Sequence, residues 1–401
     1  MSDAPALHLD PPPGFLRAPA LAAVLDALPG SRVVGGAVRD ALAGQPVADV
    51  DIATPLSPEA VSAALAAAGI KAVPTGIAHG TITAVRDGQG FEVTTLRRDV
   101  ETDGRHAVVA FTDDWRADAA RRDFTINAMS MTRDGAVWDF FGGIADLRAG
   151  RLNFVGDPVA RIAEDRLRVL RYFRFYARYA TTPPDPALAA ALRAAVPDLH
   201  RLSVERVWNE LSRILAAPDP RASLALMRDL GVLAAVLPEG ADPAGVERLV
   251  AAGAPPDPLL RFAALLEGDP LAAATRLKLA TAERDRVTAA RAGPSPRPEM
   301  DDDALRRLLA DTPTATLLDR SWLAGDGSAP WRALRDRLRA MPRPVFPLSG
   351  RDAVAAGLPP GPRVGALLRE VRAWWLAGGC RADAAACRAE LRRRADTSTG
   401  A

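Results

Sequence analysis

The string GGAVRD, Gly35 to Asp40, followed closely by DVD, Asp49 to Asp51, decides the reading of this chain. Arg32 to Val34 reads as a short strand and Ala37 to Leu42 as a helix, so Gly35 and Gly36 stand at a strand-to-helix turn. Glycine there lets the backbone approach a phosphate, and Arg39 can hold phosphate oxygens with its planar fork. Asp49 to Ala53 reads as the next strand. Alternation along a strand then puts Asp49 and Asp51 on one face, two carboxylates side by side. Like charges that close are unfavourable unless a cation lies between them, and hard oxygen ligands suit Mg²⁺. An anion-holding turn beside paired carboxylates points to metal-assisted chemistry on a nucleoside triphosphate.

Outward from this point, Ala20 to Leu28 reads as a helix stopped by Pro29-Gly30, and Ser57 caps a helix running through Ala68. Thr81 to Arg86 and Phe91 to Leu96 read as strands joined by Asp87-Gly88-Gln89-Gly90, a hairpin signal. Glu92 on the second strand is either an exposed strand residue or a third carboxylate facing the aspartate pair. His79, in GIAHGT, reads as a structural residue in a turn. Arg97 to Asp113 is charged and has little periodicity, which predicts a mobile loop. Arg116 to Met131 reads as helix or helix-to-strand and contains Arg121-Arg122-Asp123. Arg122 there is a charged helix start or a second phosphate or ribose contact. Val137 to Phe141 is strand-like.

These elements predict an α+β fold: a head of mixed sheet and helices over residues 15–150, behind a proline-rich leader, 1–14, expected to be disordered. From Asp157 onward helical patterns dominate, with proline breaks such as Pro359-Pro360. A helical neck over 151–240 and a helical body and tail over 241–401 follow.

In the neck, Pro158 to Arg178 reads as one helix. Ile162, Val169, Leu170, Phe173 and Tyr176 form its apolar face, while Arg168, Arg171, Arg174 and Arg178 oppose them with Asp165 at the edge. Such a pattern alone fits a solvated basic face, with Asp165 and Arg168 as a surface ion pair. It also fits a base-reading helix. Cytosine and adenine both present an exocyclic amine donor beside a ring-nitrogen acceptor, and guanine and uracil invert that pattern. A carboxylate and a guanidinium together select the first pair against the second. Val204 to Leu215, after Ser203, reads as a capped packing helix. The arginines between Arg381 and Arg394 fit either a solvated face or an RNA-backbone contact.

Composition narrows the classes. The 401 residues, 48% apolar and 25% charged, describe a soluble globular chain of several domains. Two cysteines, Cys380 and Cys387, provide no disulfide framework, and the four histidines have no metal-ligand spacing. The first residues lack the basic and apolar run of a signal peptide, and no segment is apolar for long enough to span a bilayer. A cytoplasmic location without membrane contact is therefore expected, and no obligatory protein partner is inferred.

GGAVRD, DVD, HGTITAV, FEVTTLRRD, RRDFTINA, DFFGGIADL and EDRLRVLRYFRF occur in this order from Val33 to Leu215. Together they resemble the class II tRNA nucleotidyltransferases, the CCA-adding enzymes, with the bacterial poly(A) polymerases as sisters. GLPPGPRVGALLREVRAWW, Gly357 to Trp375, is similar to tail sequence of the same family. The resemblance implies a polymerase-β-like nucleotidyltransferase head followed by all-α neck, body and tail. It implies that Gly35, Gly36 and Arg39 bind nucleotide phosphates, that Asp49 and Asp51 hold two Mg²⁺ with Glu92 beside them, and that Arg122 contacts the nucleotide. Asp165 and Arg168 would read the base, with Arg171 and Arg174 on the triphosphate, and residues 97–112 would match an element associated with switching from CTP to ATP. The expected substrates are CTP, ATP and the 3′ acceptor end of tRNA. Two alternatives stand beside this: a poly(A) polymerase, against which the nearly uncharged 74–85 stretch argues, and a catalytically silent RNA-binding relative.

Overall fold

The computed structural model describes residues 4–77, 80–102 and 107–397. His79 lies outside them. The chain divides into two compact units, Met1–Val236 and Leu237–Ala401. Residues 151–236, most of the expected neck, fall in the same unit as the head.

The first unit is built on an eight-stranded sheet. Its strands are β1 (Leu7–His8), β2 (Arg32–Val34), β3 (Asp51–Thr54), β4 (Lys71–Gly76), β5 (Thr81–Arg86), β6 (Gln89–Thr95), β9 (Met129–Met131) and β10 (Ala136–Asp139), in the spatial order β1-β10-β9-β2-β3-β6-β5-β4. Only β3 and β6 run parallel. The β5–β6 hairpin turns on Asp87 and Gly88, both with positive φ, the conformation a two-residue hairpin loop requires. Leu7 and His8 pair with Val137 and Ala136, and Leu7 and Leu9 pack on the core, so this part of the expected disordered leader is an ordered edge strand.

Register decides which face is the working one. Val33, Ile52, Val93 and Ile82 form one row across β2, β3, β6 and β5, and all four are buried. Helices α1 (Pro19–Ala27), α2 (Gly36–Leu42) and α3 (Pro58–Ala67) cover that face; Val24, Val38 and Val61 join its core. Ser57 caps α3, accepting from the Ala60 amide at 3.3 Å. The adjacent row is Val34, Asp51, Glu92 and Thr83, which alternation sends to the opposite, open face.

Three expectations change here. The strand begins at Asp51, so Asp49 lies in the segment leading into it, and the pair that shares a sheet face is Asp51 and Glu92. Residues 97–112 are not a plain loop: β7 (Arg97–Thr102) and β8 (Ala107–Phe111) pair antiparallel as a separate ribbon. The apolar, β-favouring run Val108 to Phe111 carried that signal, beneath the charge of the flanking residues. Finally, the helix expected over 158–178 is two helices, α6 (Pro158–Glu164) and α7 (Leu167–Tyr179), separated at Asp165, whose backbone is extended.

Between the sheet and α6 run α4 (Trp115–Ala120) and α5 (Gly143–Arg148). An aromatic cluster then anchors α7: Phe124 meets Phe154 at 4.8 Å and Phe175 edge-on at 5.3 Å, and Tyr172 stacks on Phe154. After α8 (Pro186–Ala194), α9 (Val204–Leu215) packs along α7 through Val207, Leu211 and Ile214. Ser203 precedes α9 but makes no side-chain cap bond.

The second unit is helical, from Ala244–Ala251 to Ala384–Thr397, and its leucine stripes gather into local cores such as Leu305, Leu309, Leu317, Leu334 and Leu338. Both cysteines are free; Cys387 is in a core, and burial pushes its thiol up. In the last helix Arg393 and Arg394 pair with Glu390, so much of that basic face is neutralised within the helix.

Candidate active site

Gly35 ends β2 and opens α2 with φ 67° and ψ −123°, a conformation that belongs to glycine. A Cβ added there would lie 2.9 Å from Nη1 of Arg122, so the missing side chain is what admits that guanidinium. Arg39, on the first turns of α2, is buried. Its Nη1 donates to Asn127 Oδ1 at 2.6 Å, its Nε donates to Asp40 Oδ1 at 2.9 Å, and it lies over the Tyr179 ring at 4.3 Å. Tyr179 in turn donates to Asp40 Oδ1 at 2.6 Å. The last turn of α7 thus clasps the buried arginine of α2.

The network continues. Asn127 Nδ2 donates to Asp123 Oδ1 at 3.0 Å, and Arg171 Nε donates to Asp123 Oδ2 at 2.8 Å. Burial works against both charges of this pair. The Arg171 guanidinium, Asn127 and the Phe124 amide outweigh it and hold the Asp123 carboxyl below its usual range, while Asp123 holds Arg171 above its own. A carboxylate with a depressed pKa stabilises the fold at all pH above its unfolded value and loses that contribution as pH falls through the folded one. Asp123→Asn is therefore expected to cost about 3 kcal/mol at pH 7, the size of effect that follows breaking a buried pair. The gap to the parent should narrow as pH falls below about 4, the unfolded carboxyl range. Urea melts of both proteins at pH 7 and pH 3 check this.

Arg122 donates through Nη2 to Asp118 Oδ2 at 3.3 Å, and Arg121 Nε bonds the same carboxylate at 2.9 Å. Asp118 also accepts from the Arg97 amide, tying the base of the β7–β8 ribbon to α4. On the open sheet face, Asp51 is pushed up by burial, then by Glu92, while Arg122 opposes and Asp49 adds to the rise. Glu92 stands beside it in register.

At the α6–α7 break, Asp165 Oδ1 accepts the Leu167 amide at 3.0 Å and Oδ2 accepts Arg206 Nη2 of α9 at 2.8 Å. Arg168 turns back to Glu164 and to the Arg161 carbonyl, the latter at 2.8 Å. Arg174, expected on the triphosphate, is engaged by other residues of the fold. It lies 4.5 Å over Phe175 and pairs with buried Glu210 at 3.1 Å, and burial first, then Arg171, lowers its pKa to about 10.

Gly35, Gly36, Arg39, Asp51, Arg122, Asp165, Arg168 and Arg171 line one cleft of about 670 Å³. Seven arginines against three aspartates line it, a surplus suited to a polyanion. Asp51 is also a wall of a second cleft, about 760 Å³, with Asp49, Glu92, Phe15, Val47 and Phe91 and no lysine or arginine among the described residues lining it. Sequence reasoning missed Asp123, Asn127, Phe175 and Arg206. RRDFTINA held the first two, but nothing in spacing pairs Arg171 with Asp123 or Arg206 with Asp165.

Among the described residues no group of three or more His, Cys, Asp or Glu is arranged as a complete metal set. The donors nevertheless fit a hard cation. Asp51 and its acidic neighbours are all oxygen ligands, burial and then their mutual repulsion raise Asp51, and Mg²⁺ takes one or two protein carboxylates with the rest from phosphate and water.

Residues 31–153 match the model described as "Poly A polymerase head domain", and 183–242 the one described as "Probable RNA and SrmB- binding site of polymerase A". The mitochondrial CCA tRNA nucleotidyltransferase 1 of Danio rerio is 38% identical over 363 residues, covering 86% of this chain and 83% of that protein. The chain belongs to the CCA tRNA nucleotidyltransferase family. It is an enzyme, a nucleotidyltransferase. The human mitochondrial member is 36% identical, covering 87% and 83%. The CCA-adding enzyme of Leuconostoc citreum is 40% identical over a shorter stretch, 48% of this chain and 47% of its own. In structure, the Bacillus stearothermophilus CCA-adding enzyme in complex with CTP superposes with a TM-score of 0.77 at 28% identity, covering 95% and 99% of the two chains. The Thermotoga maritima CCA-adding enzyme complexed with tRNA shares the fold, with a TM-score of 0.63 at 21% identity and 90% of each chain covered. The polymerase-type head with a helical remainder is thus the fold of CCA-adding enzymes.

Proposed function

We propose that this nucleotidyltransferase builds and repairs the 3′-terminal CCA of tRNA from CTP and ATP, choosing each base with protein groups. One observation carries the reading. A single arginine-rich cleft joins the Asp51 end of the sheet to the Asp165–Arg168 end of α7, so a nucleotide whose phosphates meet Arg39 and Arg122 presents its base to the neck.

In that pose the backbone at Gly35 and Gly36 and the guanidiniums of Arg39, Arg122 and Arg171 bind the triphosphate as preorganised donors. Asp165 accepts from the exocyclic amine of cytosine or adenine, and Arg168 donates to the neighbouring ring nitrogen; guanine and uracil place like groups together. Arg174 stiffens Phe175, which packs under the cleft. The second cleft, acidic and apolar with no cation, suits the terminal nucleoside of the RNA, bringing its 3′-hydroxyl to the other side of Asp51. Asp49 and Asp51 would hold Mg²⁺, which would activate that hydroxyl and neutralise charge on the phosphates. Glu92, beside Asp51, orients that carboxylate by repulsion.

The β7–β8 ribbon, anchored at Arg97 to Asp118, is the element we assign to the change from CTP to ATP, on the resemblance of residues 97–112 to the family's switching element. No helix of the described residues is long and apolar enough to cross a membrane, and the vertebrate relatives are mitochondrial by name. A cytoplasmic location stays a proposal, checked by immunoblotting cell fractions.

Asp165→Ala should lower kcat/KM for CTP and ATP by about 10- to 100-fold, the worth of about 1.4 to 2.7 kcal/mol of base recognition, while UTP and GTP change little. Single-turnover extension of tRNA with each nucleotide measures this. An equal loss on all four nucleotides would remove Asp165 from base reading.

A further inference from the structure

Asp165 and Arg168 stand three residues apart at the start of α7, a spacing at which opposite charges pair. Paired to each other they would use up the edges that a base has to meet. Their ion pairs in this structure run elsewhere. Asp165 Oδ2 accepts Arg206 Nη2 at 2.8 Å from α9, and Arg168 Nη1 is taken by Glu164 and by the Arg161 carbonyl. Glu164 is itself fixed by Arg161 Nη1 at 2.7 Å. Each oxygen of Asp165 keeps a second lone pair after accepting one bond, and among the described residues nothing engages Nε or Nη2 of Arg168.

We propose that Arg206 is a positioning residue for nucleotide choice, holding the Asp165 carboxylate away from Arg168 so that both keep an open edge toward the base. This rests on the reading that Asp165 and Arg168 contact the base. Arg206 is itself a wall of the same cleft, yet its side chain remains 37% exposed at the rim. The helix that carries it is held by Val207, Leu211, Ile214 and Leu215, all buried, so the guanidinium is not needed to keep α9 in place. Without it, Asp165 faces the other arginines of the cleft, Arg168 three residues on and Arg171, and a pairing with Arg168 collapses the two reading groups onto each other.

Arg206→Met keeps the aliphatic stem and removes the charge. Its melting temperature should match the parent's. Selectivity, measured as kcat/KM for CTP over UTP on tRNA lacking its last three residues, should fall about tenfold, chiefly through a raised KM for CTP; ATP on tRNA ending in CC should show the same rise. Arg206→Lys, which restores a cation at the rim, should recover most of the selectivity. Asp165→Ala is run alongside. If Asp165→Ala loses selectivity and Arg206→Met does not, Arg206 has no positioning role, and the base-reading site stands without it. If Asp165→Ala itself keeps parental selectivity, both readings fall. Equal losses for CTP and UTP with a lowered melting temperature would also overturn the proposal, marking Arg206 as structural.

Discussion

Alanine at Asp49 or Asp51 should abolish nucleotide addition, lowering kcat by about 10³-fold or more, while tRNA binding stays within twofold. The size follows from what the carboxylates hold: removing even one preorganised partner of the developing charge costs about 10²–10³ in rate, and a lost ligand removes the metal's contribution as well. The fold should tolerate the change. Asp49 precedes β3, and Asp51 lies on the open face, next to Glu92 and opposite the row of Val33, Ile52 and Val93 that forms the core. Gel-resolved single-nucleotide extension and a filter-binding titration with the same tRNA separate the two effects. Undiminished extension would exclude the acid pair from the chemistry, and lost binding with lost extension would point to a damaged fold.

Arg39→Ala is the second large effect. Its guanidinium is clasped by Asn127 and Asp40 and by the rings of Tyr179 and Phe175. Its place at the glycine turn is thereby preset, and little ordering remains to be done when a triphosphate arrives. Loss should reduce kcat/KM for CTP and ATP alike by about 10²–10³-fold, the range for deleting one preorganised donor. Arg39→Lys should recover only a small part, because an ammonium cannot reproduce the two-pronged contact or the stacking on Tyr179. A selective loss for one nucleotide would contradict the account, since phosphates are common to both.

Much of this was legible from local pattern. The Gly35–Gly36 turn, the Asp87–Gly88 hairpin and the amphipathic α9 each follow from residue type and spacing, and the structure has them within a residue or two. What was not legible depends on contacts distant in sequence. Period-two alternation suggested that Asp49 and Asp51 share a strand face, whereas the sheet register sets Glu92 beside Asp51. A helical wheel drawn through Asp165 could not show that the chain breaks there, because Asp165 supplies its own cap to the Leu167 amide. The wheel left the arginines of α7 either solvated or facing a nucleotide, because their counter-charges, Asp123 and Glu210, come from other segments. The short strand at Leu7–His8 was hidden in a proline-rich stretch, and only pairing with β10 reveals it.

The central claim is that one site adds two C residues and one A residue to tRNA with the protein as template. Its most direct test is extension of three RNAs with Mg²⁺ and a single nucleotide at a time: tRNA lacking its last three residues, tRNA ending in CC, and an unstructured oligo(A). The account predicts two C additions to the first from CTP, one A addition to the second from ATP, and no extension of oligo(A). Long A tracts on oligo(A) would contradict it and assign a poly(A) polymerase, and tRNA binding without incorporation of any nucleotide would contradict it in favour of a silent RNA-binding protein.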